Sequence, residues 1–165
     1  MKISVLYVSA FLTAAFGTLL SAGAHGQTSI AKDGTTVVHA VLAGKKIEAT
    51  ITTVRIGTDS KLFPKIEWGA PSVTLVQDLE ITVEGKKAFV PRSVFADLLD
   101  PRTASIRLQK GVFVLTAAGA DGAESYFVRV VFDGTSVKRR MVYSSLVPAT
   151  PTEDTAYRLT ELKDE

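Results

Sequence analysis

A few residues in this chain carry groups able to do chemistry, and their spacing limits what that chemistry is. His39 stands between Val38 and Ala40 in an apolar run. One imidazole can serve as a general base when a nucleophile and an orienting acid are held beside it. It cannot build a multi-histidine metal site. Nothing around His39 has motif character, so a hydrogen-bonded strand histidine is expected. Asp97 and Asp100 lie close enough in sequence for their carboxylates to be neighbours on a helical segment. Paired carboxylates hydrolyse glycosides when they flank a cleft. Yet Asp100 precedes Pro101, where a helix must stop, and Asp97 falls on the solvent side of the local apolar stripe.

The segment Gly119-Ala120-Asp121-Gly122-Ala123-Glu124-Ser125-Tyr126 joins two strongly apolar runs and gathers acids, a hydroxyl and an aromatic ring. Loops held by a rigid β-scaffold are favoured places for binding residues. Asp121, Glu124, Ser125 and Tyr126 are therefore candidate partner contacts. Asp121 and Glu124 are also hard-oxygen donors of the kind calcium takes, although a full site needs more oxygens than they supply. The simplest alternative is a hairpin in which Asp-Gly provides the unusual backbone angles. Lys138-Arg139-Arg140 is the one dense basic cluster. Alternation along a strand puts Lys138 and Arg140 on one face and Arg139 on the other. Lys138 and Arg140 are then candidates for binding an anionic surface, with cross-strand pairing to acids such as Asp133 as the alternative.

Other chemistries lack their residues. The chain has no Cys, which excludes thiol nucleophiles, cysteine–zinc sites, iron–sulfur ligation and disulfides. There is no Gly-x-Ser-x-Gly elbow, no phosphate-cradling glycine loop, no His-Glu-x-x-His and no dinucleotide fingerprint. No cofactor is expected. With 19 basic against 17 acidic residues, the charge is too balanced for non-specific nucleic-acid binding. The chain also contains no Asn, hence no N-glycosylation acceptor.

The elements that must position these groups read as strands. Thr35–Ala43 and Lys46–Ile56 flank a short glycine break and form a hairpin. Ile47, Ala49 and Ile51 share a face that Val54 and Ile56 do not, which requires a bulge near Thr52-Thr53 or a strand that bends between sheets. Val73, Leu75, Leu79, Ile81 and Val83 alternate with polar residues, with a break expected near Gln77-Asp78. Lys65–Trp68 and Lys87–Val90 are shorter strand candidates. Val94, Phe95, Leu98 and Leu99 make a helical stripe with Ser93 as N-cap, a short helix suited to plug one end of the core. Ala104–Gln109, Val112–Ala118, Ser125–Asp133 and Ser136–Ser144 follow as hairpins, and Thr155–Thr160 as an edge strand with Tyr157 and Leu159 inward. Eight to ten short strands and one short helix predict an all-β antiparallel sandwich or partly closed barrel.

Ile81–Leu98 (ITVEGKKAFVPRSVFADL) resembles the strand-turn-strand-helix unit of the copper amine oxidase N-terminal-like modules of bacterial surface proteins. The likeness implies a hairpin followed by a Pro-Arg helix start and carries no function with it. The order Gly-Ala-Glu-Ser-Tyr at 122–126 does not meet the Ser-Gly-x-x-Tyr loop of periplasmic lysozyme inhibitors, so no family is assigned.

Residues 1–26 have a basic start, an apolar stretch from Ile3 to Phe16 and a small-residue tail, the layout of a cleaved signal peptide. A lipid anchor is chemically excluded at Leu20-Ser21-Ala22-Gly23, because Ala24 stands where the lipidated Cys would be. Residues 27–165 then form one domain, periplasmic or secreted, with no stable membrane anchor after cleavage. Export without catalytic groups points to a non-enzymatic binder of a protein or cell-envelope component. An inhibitor or immunity protein acting on a cell-wall hydrolase is the first alternative, and a hydrolase using Asp97 and Asp100 the second.

Overall fold

The computed structural model describes residues 26–57 and 72–159. The expected signal peptide up to residue 25, the expected strand Lys65–Trp68 and residues 160–165 lie outside them. The described strands are β1 (Thr28–Ser29), β2 (Gly34–Leu42), β3 (Lys45–Gly57), β4 (Ser72–Val83), β5 (Lys86–Ala88), β6 (Pro101–Gln109), β7 (Val112–Gly119), β8 (Tyr126–Phe132), β9 (Val137–Ser144) and β10 (Glu153–Ala156). They form two antiparallel sheets, one ordered β1-β6-β7-β8-β9-β10 and the other β2-β3-β4-β5. This is an all-β sandwich.

Between the sheets lies one continuous apolar core. Val38, Ile47, Ala49, Ile51, Leu79 and Ile81 come from the smaller sheet, and Ala104, Ile106, Leu115, Val128, Val130 and Phe132 from the larger. Each set recurs at every second position, as strands with one buried face require. The long hairpins turn through Ala43-Gly44, Glu84-Gly85 and Lys110-Gly111, all at positive φ. These two-residue turns match the twist of the strands they join.

Local slips in the ladder decide which side chains face inward. Between β3 and β4 the register shifts at Thr52/Thr53, and Gln77 is the unpaired residue opposite. β3 keeps an unbroken ladder with β2 through Thr52 and Thr53, and the break expected near Gln77-Asp78 is this bulge in β4. It also turns Val76 inward, while Leu75 bridges to Leu99, so the single face expected from Val73 to Val83 is broken in two. A second slip at Val131/Phe132 leaves Lys138 unpaired in β9. A third, at Pro101/Thr103, leaves Arg102 unpaired in β6.

The expected helix is a 3-10 turn, Arg92–Val94, preceded by Pro91 and without a side-chain cap. A short helix pays its nucleation cost without propagation. Here Leu98, Leu99 and Asp100 are taken by backbone contacts to β4: Val76 N–H donates to Leu98 O and Asp100 N–H to Thr74 O. The apolar stripe still plugs the core, since Val94, Phe95 and Leu98 are buried. Ser93 does not cap; its hydroxyl donates to Tyr157 Oη at 3.2 Å. The last strand starts two residues earlier than expected. Tyr157 packs partly against the core, whereas Leu159 is exposed.

Candidate functional site

The main chain crosses from one sheet to the other at Asp100-Pro101, and the crossing builds a groove. Asp100 has φ 45°, a left-handed conformation uncommon for a residue with a side chain. It holds both sides of Thr74: its N–H donates to Thr74 O at 2.7 Å, and its Oδ1 accepts from Thr74 N–H at 2.8 Å. Its own carbonyl accepts from Ala120 N–H at 3.0 Å. Ala120 is left-handed too, with φ 57°. The other non-glycine residues at positive φ, Ala43, Glu84 and Lys110, sit in the two-residue hairpin turns. Asp100 and Ala120 have no such excuse, and they face each other.

The Arg102 bulge lies beside them. A bulge re-aims its side chain, and Arg102 pairs with Asp121 across the opening. The result is a groove of about 280 Å³ lined by Lys32, Thr74, Asp100, Pro101, Arg102, Ala120, Asp121 and Glu124. Among the described residues, Lys32 and Glu124 make no ion pair. They leave one ammonium and one carboxylate free on the rim.

Tyr126 holds the back of this groove. Its hydroxyl donates to Leu99 O at 2.9 Å and lies where a Cβ on Gly119 would be, 2.6 Å away, with Asp100 O at 2.7 Å. Only glycine fits at 119. Burial, reinforced by the nearby Asp97 and Asp100 carboxylates, pushes the Tyr126 phenol well above its ordinary value. It stays a neutral donor.

The six expected contact residues therefore divide. Asp121 and Glu124 line the groove as expected. Ser125 closes the adjoining turn, its Oγ donating to Gly122 O at 2.7 Å. Tyr126, expected as a partner contact, is a half-buried strut. Lys138 is exposed and 3.0 Å from Asp133. Burial raises the Asp133 carboxyl, but bonds from the Thr135 hydroxyl, the Ser136 and Thr135 amides and Lys138 outweigh it and hold it far below the usual range. The groove lies at the Tyr126 end of β8 and Lys138 at the other, beside Val131 and Phe132.

Arg140 is the clearest correction. It was expected on the surface beside Lys138 and is instead 2 % exposed, the largest fully buried side chain among the described residues. The slip at Lys138 explains this, because Arg140 then pairs with the inward Val130 and takes its facing. Inside, both terminal oxygens of Asp97 accept from Nη2 at 2.7 Å, Glu153 accepts from Nη1, and Val94 O accepts from Nε at 3.1 Å. Each guanidinium nitrogen thus has an acceptor. The group ties the plug segment and β10 to β9.

The other candidates are placed as follows. His39 lies on the outer face of β2, its Nδ1 3.3 Å from the Glu48 carboxylate opposite. Asp97 and Asp100 each hold a separate structural partner, Arg140 and Thr74. Among the described residues, no group of three or more His, Asp or Glu is arranged to hold a metal ion, and no helix is long and apolar enough to cross a membrane. On the outer face of the larger sheet, Phe127 and Tyr143 stack at 4.6 Å with Arg129 lying over both rings. Their pairing across β8 and β9 was not read from the sequence, where they are far apart.

Lys32, Thr74 and Arg102 are the groove residues that sequence reasoning missed. A signal for Arg102 exists in Asp100-Pro101-Arg102, a turn residue and a proline ahead of a cation. Nothing in the order of residues brings Lys32 or Thr74 there. No protein-family model matches the chain, and no curated protein or solved structure matches it.

Proposed function

We propose that the protein is an exported, non-enzymatic β-sandwich that binds a protein or cell-envelope component through the Asp100–Arg102 and Ala120–Glu124 groove. One observation carries this reading. Two left-handed non-glycine residues outside hairpin turns, and a bulge beside them, converge on a single opening. Such conformations cost of order 1–3 kcal/mol each and cluster at ligand sites. Among the described residues, the rim offers one unpaired cation and one unpaired anion around an Arg–Asp pair, which suits a polar partner carrying both charges. The carboxylates suggested for hydrolysis are occupied by Arg140 and Thr74, which favours binding over catalysis.

The test is capture from envelope extract on immobilised protein. Wild type should retain a component that Arg102→Ala and Glu124→Ala lose, while Lys138→Ala, at the other end of β8, retains it. Equal recovery by all four proteins would remove the groove from the reading.

A further inference from the structure

We infer that the free edge of β2 is a self-pairing surface through which two copies of this chain form a symmetric dimer with a continuous sheet. Strand edges are normally blunted, because unpaired N–H and C=O groups invite other strands. Most edges here are. β1 has 2 residues, β5 has 3 including Lys86 and Lys87, and β10 has 4 beginning with Glu153-Asp154. β6 is paired by β1 at Thr103 and Ala104, and its remaining length carries Arg107. β2 breaks the pattern. It runs for 9 residues, GTTVVHAVL, with no proline, no lysine and no carboxylate. It pairs with β3 from end to end without a bulge; β6 of the other sheet approaches it but forms no ladder with it.

The hairpin fixes which groups are open. Ala43-Gly44 is a two-residue turn, so Leu42 and Lys45 form a hydrogen-bonded pair. Alternation then directs the N–H and C=O of Ala40, Val38, Thr36 and Gly34 to β3. Those of Thr35, Val37, His39 and Val41 point outward from the sheet edge.

A second copy satisfies every one of these groups in one register. A two-fold axis through Val38 sets Val37 opposite the partner's His39 and Thr35 opposite the partner's Val41. No charged groups of like sign meet, and β-branched side chains neighbour one another, as stable cross-strand pairs prefer. Val41 is 61 % exposed and Val37 37 %; set opposite the partner's Thr35 and the partner's His39, both would lose exposure to water. The patch is self-complementary, as an isologous contact must be, and its closed symmetry stops at two chains.

The experiment is the solution mass of the purified protein, by sedimentation equilibrium, with three variants. Wild type should weigh two chains. Val37→Lys with His39→Lys places lysines against each other across the axis and should weigh one chain with unchanged circular dichroism. Val37→Glu with His39→Lys places opposite charges there and should restore two. Val37→Pro removes only an N–H on the open side, costs no internal bond, and should also weigh one chain if the double lysine variant fails to fold. Backbone amides of Val37 and His39 should be protected from exchange in wild type and unprotected in the monomeric variants. A wild type of one chain at every concentration up to its solubility limit overturns the proposal. So does a dimer indifferent to all three variants, or a monomer that takes up a strand from another protein.

Discussion

At the scale of single residues, Arg140 shows how much one buried cation can organise. Its partners are unequal in kind: the Asp97 and Glu153 carboxylates are still 60 % and 44 % exposed, while the guanidinium is enclosed. Either acid alone still leaves the cation a counter-charge. Asp97→Ala should therefore cost about 1.5–3 kcal/mol, the worth of charged hydrogen bonds, and Glu153→Ala a similar amount. The double variant strands a buried charge, and such breakage costs about 3–5 kcal/mol or more. Chemical denaturation of the four proteins should show a loss exceeding the sum of the singles; simple additivity would mean the cation finds water instead. The same network sets an acid dependence. Bonds from Arg140, opposed by burial and joined by the Thr155 hydroxyl, hold the Glu153 carboxyl below its ordinary 4.5. Its contribution is complete above that value and is lost as pH falls through the lowered one. The urea midpoint should drop on acidification below pH 4.5, and Glu153→Gln should flatten that drop. An equal slope in both proteins would place the acid sensitivity elsewhere.

At the scale of elements, the turns and the strut behind the groove make separate predictions. Ala43 has φ 50° in a turn that favours Asn before Gly. Ala43→Asn should raise stability by about 0.5–1 kcal/mol, read as a higher thermal midpoint. Tyr126→Phe leaves Leu99 O without its donor and should cost about 1 kcal/mol. It should leave envelope capture intact, because the ring supports the groove from behind; lost capture would restore Tyr126 as a contact. Gly119→Ala should cost more than Tyr126→Phe, since its methyl meets both the phenol and the Asp100 carbonyl. Strands and hairpins were legible because alternation and glycine-bearing turns are local signals. The bulge at Gln77 was legible for the same reason, as a polar residue interrupts the apolar face running from Val73 to Val83 there. The slip at Lys138 was not legible: Val137, Met141 and Tyr143 suit one unbroken face, and only the pairing with β8 interrupts it. That single unread residue reversed the facing of Arg140. The short helix failed for a related reason, because its stripe is helical but its last residues are claimed by β4, which lies distant in sequence.

At the scale of the whole molecule, the two layers are fastened along both sides. On one, the chain passes from β1 through Ile30 and Ala31 into β2. Ile30 N–H donates to Arg102 O at 2.7 Å, and the Thr53 hydroxyl donates to Ala31 O at 2.8 Å. On the other, Phe89 forms a parallel bridge to Ser136, joining the end of β5 to the start of β9. The groove sits where the first fastening meets the Asp100 crossing, so its shape depends on both sheets together. A thiol-free domain of this size must hold by packing, and its core is one cluster shared by the layers. Neither sheet should therefore persist without the other. Far-ultraviolet ellipticity, which reports the strands, and near-ultraviolet ellipticity, which reports the stacked Phe127 and Tyr143, should fall at one temperature. Ile30→Ala should lower both midpoints together, with a loss of about 2–5 kcal/mol typical of a truncated core residue. It should weaken groove binding as well, because the buried Ile30 side chain anchors the segment whose backbone amide is bound to the Arg102 carbonyl. Two resolved transitions, or a midpoint shift in one signal alone, would show that the layers are separable and that the groove belongs to only one of them.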